Sequence, residues 1–238
     1  MVLLLAAWWA VTTGAQLIGQ LYFPTPESVV GALMTLNVQL AIDAGATLSR
    51  VLISWIGGSS LGVLVGLLMA RSKWVFAVAN PIVEAVRPVP PVALIPFVIL
   101  WFGIGDSGKI FLGSLACFMV MVVNTTVACS NVPPVYLQAA RSLGASSNQV
   151  YRTVILPAIV PEILSGFRIG SALAFAVIVA AEFLGADAGI GRLIMSASRT
   201  LNTPVVLLGT VVIAILAVLL DAAILRISAY VTRWSLNR

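Results

Sequence analysis

The chain has 238 residues, of which 61% are hydrophobic and 9% charged, and its mean hydropathy is +1.10. A soluble domain carries about 25% charged residues, so this composition excludes a water-exposed surface and indicates an integral membrane protein. The net charge of +5 is the balance of 13 basic and 8 acidic residues, and the basic ones form no dense run, which argues against nucleic acid; the absence of histidine excludes His-based triads, His proton relays and most catalytic zinc sites.

Long unbroken apolar runs, without dyad alternation, point to helices and against a barrel. An all-α fold with about six transmembrane helices is expected, and residues 1–238 read as one membrane domain. The first span is residues 2–20. It lacks a charged n-region and a small-residue cleavage site, so it reads as a span and not as a detachable signal. Residues 21–49, with Pro24, Pro26, Glu27 and Asp43, are expected to form a turn followed by an amphipathic surface helix. The second span, residues 51–70, is bracketed by Arg50 and Arg71. Its Gly58, Gly62 and Gly66 recur every four residues, a spacing that suits close packing within the chain or a dimer face.

The third span, residues 81–102, is irregular. Asn80 is placed to cap it and Pro81 to sit in its first turn, while Pro88, Pro90 and Pro91 break it about ten residues in. The fourth span, residues 110–129, holds Cys117 and Cys129, which lie ~18 Å apart on a helix and cannot bridge. The fifth and sixth spans are residues 162–181 and 201–220, joined by a second amphipathic segment over 189–202. Lys and Arg counts favour both termini inside: nine cations flank the cytoplasmic edges, and four (Arg50, Lys109, Arg192 and Arg199) fall on the other side.

Gly103, Gly105, Gly108 and Lys109 match both G-x-G-x-x-G and the first positions of a P-loop. Ile110 stands where a P-loop needs Ser or Thr for magnesium, so a tight glycine turn is the expectation. Arg87, immediately before the proline break, is the candidate pathway or gate residue, together with Pro88, Pro90 and Pro91. An intramembrane Arg marks function by default, and its planar fork suits sulfonate, nitrate or carboxylate oxygens. Pairing with Glu84 three residues earlier, or snorkelling to headgroups, fits the same position. Arg168 and Asp221 fall at similar depth near the inner ends of spans five and six and are expected to pair. Glu182 is placed near the outer end of span five and read as a structural partner. Trp8, Trp9, Trp101 and Trp234 include interface anchors.

The loop over residues 131–161 is expected to project as a helix, a Gly144 turn and a second helix begun by a Ser146–Gln149 capping box and running to Leu156. Gln138-Ala139-Ala140, three residues, Gly144, nine residues, Val154, one residue and Leu156-Pro157 resembles the EAA loop of ABC importer permeases. Gln138 and Val154 replace the usual Glu and Ile. Arg87-Pro-Val-Pro-Pro91, Pro96, Trp101-Phe-Gly-Ile-Gly105, Pro161-Glu162-Ile163-Leu164 and Ala180-Ala181-Glu182 are similar to the nitrate, sulfonate and taurine permeases, with the taurine branch nearest.

The likeness covers about residue 47 to the C-terminus, with its core over 47–230. It implies a type I permease fold in a bacterial cytoplasmic (inner) membrane, a homodimer among membrane lipids, two ABC ATP-binding subunits and a periplasmic or lipid-anchored solute-binding protein. It also implies that ATP and Mg are bound by the partner ATPase, with no cofactor or catalytic residue in this chain. Gln138, Ala139, Ala140, Gly144, Leu156 and Pro157 would carry ATPase coupling. The implied cargo is a small anion such as taurine; nitrate, bicarbonate or a pyrimidine-type substrate fits the same machinery. A stand-alone secondary transporter is the reading from another class, and it calls for a second broken span that the sequence lacks.

Overall fold

The computed structural model describes residues 8–14 and 22–233, and every regular element among them is helical. Four of its helices are long and apolar enough to cross a membrane, or five if one bent pair counts as a span. The expected span over residues 2–20 lies mostly outside the described residues, as does Trp234.

Helix α1 runs from Pro26 to Arg71, 46 residues with one kink at Asn37. Thr25 caps it through the Ser28 amide, Pro26 fits the first turn and Glu27 faces the positive end of the helix dipole. At ~1.5 Å per residue the part beyond the kink, residues 38–71, reaches roughly 51 Å, well over the hydrocarbon thickness. A kink at Asn37 (φ 25°, ψ −99°) sets its first three turns at an angle to the rest. This corrects the expected surface helix and separate second span. Nothing between Asn37 and Arg71 breaks a helix, so Asp43, Thr47 and Arg50 lie buried within one continuous rod.

Its glycine face settles the packing question in favour of contacts within the chain. Helix α1 lies along α4 (Asp106–Ser130), and a methyl at Gly62 would come within 2.7 Å of Met121 and of the Phe118 carbonyl. Gly66 meets Thr125 at the same distance.

Helix α2 (Lys73–Val86) begins two turns before the expected start, because Ser72 caps it and Pro81 is carried inside. The proline break is where it was expected. Residues 87–90 leave the helix, Pro91–Leu94 form a 3-10 turn, and α3 (Ile95–Phe102) continues at an 80° bend. Gly103, at φ +73°, turns the chain into α4, and Lys109 folds back to donate to the carbonyls of Ile104 and Gly105. The lysine thus ties its own turn instead of facing a phosphate.

The interior is tightly knit where α1 and α4 meet α6, the continuous helix Ser147–Leu184. Val51, Cys117, Ala174, Phe175 and Ile178 are buried together there. Both cysteines are free. Helix α5 (Pro134–Ser142) precedes α6, and α7 (Ile190–Arg199) leads to α8 (Thr203–Val231).

Candidate functional site

Three prolines shape the bend. Pro88, Pro90 and Pro91 cannot donate to a helical ladder, so only short turn bonds remain, Val89 N–H to Val86 O and Ala93 N–H to Pro90 O, each 3.0 Å. Arg87 ends α2, its N–H still bonded to Val83 O at 2.8 Å. Its side chain is 58% exposed and reaches Glu84 only loosely, at 3.8 Å. Of the expected pathway residues, Arg87 and Pro91 line a cleft of about 390 Å³, whereas Pro88 and Pro90 set the backbone behind it. The facing wall is α4, through Leu115, Met119, Val123 and Val127, with Leu173 from α6. Asn124 is the other polar lining residue, and its Nδ2 donates to the Glu162 carbonyl at 2.9 Å. Sequence reasoning passed over it, although an amide in an apolar run was the available signal.

The expected coupling loop takes the anticipated helix–turn–helix form. Helix α5 carries Gln138, Ala139 and Ala140. Gly144, at φ +83°, closes it with two reverse bonds, its own N–H to Arg141 O and Ala145 N–H to Ala140 O, which is the glycine-dependent Schellman arrangement. The Ser146–Gln149 capping box is formed in both directions. The second helix does not stop at Leu156. A π-turn over Tyr151–Ile155 feeds it into the membrane helix, with Leu156 N–H bonded to Tyr151 O just ahead of Pro157, which has no N–H to give.

Ala139, Ala140 and Pro157 line a groove of about 580 Å³ between α5 and α6. Gln138 and Gly144 face outward, and Leu156 packs into the base beside Val132 and Ile159. Leu143 at the tip is 89% exposed. Tyr151 fastens the loop to the end of α1, donating to Leu67 O at 3.1 Å while Arg71 lies over its ring.

At the opposite end lies a charge cluster that the sequence did not disclose. The Glu182 carboxylate is fully buried and accepts from Arg50 Nη1 at 2.6 Å, from Thr47 Oγ1 and from the Gly191 N–H. Arg50 also donates to Asp106 at 2.9 Å and to Ala188 O at 2.7 Å. Asp43 receives the Gly189 N–H at 2.7 Å and Arg192 at 3.3 Å, while Thr47 takes the Ile190 N–H. The three amides that open α7 are thereby held by side chains of α1 and α6. Arg50, Lys109 and Arg192, assigned to one membrane face by charge counting, do gather at one end, but Arg50 and Arg192 are partners of the buried Glu182 and Asp43, and Lys109 is held by the carbonyls of its own turn. The Arg168–Asp221 pair is present as expected, a two-point contact of 2.8 and 3.0 Å between α6 and α8. Among the described residues no three His, Cys, Asp or Glu side chains cluster to hold a metal.

The family described as binding-protein-dependent transport system inner membrane component matches residues 58–234. The taurine transport system permease protein TauC of Escherichia coli (strain K12) is 40% identical, over 97% of this chain and 86% of that protein. The putative aliphatic sulfonates transport permease protein SsuC of the same strain is 34% identical over 97% and 89%. The nitrate import permease protein NrtB of Synechocystis sp. (strain ATCC 27184 / PCC 6803 / Kazusa) is 31% identical over 76% and 66%. A chain from inward-facing structures of the MetNI methionine ABC transporter shares the fold at 23% identity, with a TM-score of 0.66 over 84% of this chain and 98% of that one.

Proposed function

Because the chain belongs to the binding-protein-dependent transport system inner membrane component family, and is thus a non-catalytic permease subunit of an ABC importer, we propose that it carries a small aliphatic sulfonate such as taurine. The observation that carries this reading is Arg87. It is a half-exposed guanidinium, weakly engaged by Glu84, set in the wall of an otherwise apolar cleft at a broken helix. Its donors form a planar fork that matches sulfonate oxygens two at a time. The likeness to taurine and aliphatic sulfonate permeases supports the same cargo, and the nitrate relative keeps nitrate as the second reading. Family membership removes the ground for a stand-alone secondary transporter.

In this reading two copies of the chain assemble in the cytoplasmic membrane with two ATP-binding subunits and an external solute-binding protein. Arg71, Arg141 and Arg152 lie with the loop at the cytoplasmic side, and both termini are inside. The exposed Gln138–Gly144 face and Leu143 dock on the ATPase. Closure of that partner around ATP and Mg pushes α5 and α6, and the cleft changes its accessible side. Transport then follows from the different affinity of the two conformations for ATP.

Uptake of labelled taurine by cells making the whole transporter, beside cells whose ATPase lacks its Walker lysine, tests the assignment. Uptake that disappears with the lysine is the expected result. Nitrate uptake without taurine uptake would move the cargo to the second reading, and uptake that ignores the lesion would overturn ATP coupling.

A further inference from the structure

We propose that Asn124 selects the donor end of the substrate, so that the cleft favours a zwitterionic sulfonate over a plain anion. The inference rests on the reading of Arg87 given above. Thirteen residues line the cleft, and Arg87 and Asn124 are its polar side chains, one from the end of α2 and one from α4. Their chemistry is complementary. A guanidinium offers donors alone, whereas an amide keeps a carbonyl oxygen that accepts two hydrogen bonds.

Asn124 is fixed in orientation. Its Nδ2 donates to Glu162 O at 2.9 Å, and its amide rests on Gly166, where a β-carbon would collide with it and with Met121 Sδ. The nitrogen is thereby turned to α6, and Oδ1 accepts from no described residue. Arg87 therefore suits an acceptor-only head such as a sulfonate, and Asn124 Oδ1 suits an ammonium or amine at the other end of a short carbon chain. An alkanesulfonate or nitrate leaves that oxygen with water alone and forgoes the hydrogen bond that an ammonium makes, which disfavours it.

Asn124 also joins α4 to α6, and a purely structural role would weaken every substrate alike. The discriminating measurement is therefore a ratio. Labelled taurine is bound to the purified permease–ATPase complex without its binding protein and displaced by unlabelled taurine or by butane-1-sulfonate. For the native chain taurine should displace about tenfold better, the discrimination expected from one partly exposed hydrogen bond.

Asn124→Leu should bring the two competitors to within about twofold of each other. Asn124→Asp, which adds a charge that attracts ammonium and repels anions, should widen the gap beyond its native value. The two variants move the ratio in opposite directions, so Asn124→Asp decides the matter if the leucine variant fails to assemble. Taurine binding with an unmoved ratio, including equal weakening of both competitors, overturns the role of Asn124 alone. A native complex that binds no taurine overturns the sulfonate reading and this inference together.

Discussion

Arg50 and Arg87 are both arginines set among apolar helices, and the protein treats them in opposite ways. Arg50 is 6% exposed at its side chain, and Glu182, Asp106 and the Ala188 carbonyl take up its donors. Arg87 is 58% exposed, has one distant carboxylate for company, and borders an open cleft. The first charge is consumed by the architecture: it ties α1, α4 and α6 together and anchors the start of α7. The second is left with donors unspent beside a break in the backbone. Burial alone does not identify a working charge in a membrane protein. What separates the two is how many of the donors are already committed.

The contrast is sharpest under substitution. Glu182→Ala should have the largest effect on folding, because it leaves Arg50 buried without its main partner, a loss of about 3–5 kcal/mol. Thermal unfolding of the detergent-purified chain should show a steep fall in Tm, and Arg50→Met with Glu182→Leu should recover much of it. A double variant as unstable as the single one would show that the cluster is more than a fastening. Gly62→Leu should cost about 1–3 kcal/mol by forcing α1 from α4, while Gly57→Leu, whose β-carbon meets nothing within 4 Å, should leave Tm in place. That pair of measurements asks whether α1 is held to α4 by helix contact as well as by charge.

Gly144→Asp meets open space but demands a left-handed residue, a local strain of roughly 1–2 kcal/mol. The protein should insert and assemble, retain basal ATP hydrolysis by its partner, and lose coupled uptake; normal uptake would remove the loop from the coupling path. Arg87→Gln should disturb stability least, since an exposed pair at 3.8 Å contributes little. Uptake should nevertheless fall roughly 10–100-fold through the loss of a charge-assisted contact. A Tm drop matching that of Glu182→Ala would erase the distinction between the two arginines.

Local chemistry was legible in the sequence, and of the distant pairings only Arg168 with Asp221 was. Gly144, the Ser146–Gln149 box and the Pro88–Pro91 break announce their geometry because each is decided within a few residues. Arg168 and Asp221 were paired by depth, since each falls near the inner end of its span. The Arg50–Glu182 cluster joins residues up to 149 positions apart, and Arg50 reads as a loop charge because an arginine at the edge of an apolar run looks like a loop flank. The missed clue was a balance: Asp43, Asp106 and Glu182 sit at the same end as Arg50, Lys109 and Arg192. The unbroken part of α1 after Asn37 had its own unread signal, the absence of proline up to Arg71. Asn124 stayed hidden because an amide among apolar residues carries no spacing pattern of its own.

Helix α6 has one more consequence. Its 38 residues run from the capping box to two positions beyond Glu182, a shaft of roughly 57 Å. On the side of α5 it is joined through the Gly144 turn, and at its other end it is bolted by the Glu182 carboxylate. A force delivered at Ser147 therefore acts on a lever whose distant end is pinned, and the displacement is greatest near the input and dies away toward the pin. The Asn124–Glu162 contact sits between these ends, nearer the input, so the wall of the cleft is where the stroke of such a lever would be felt.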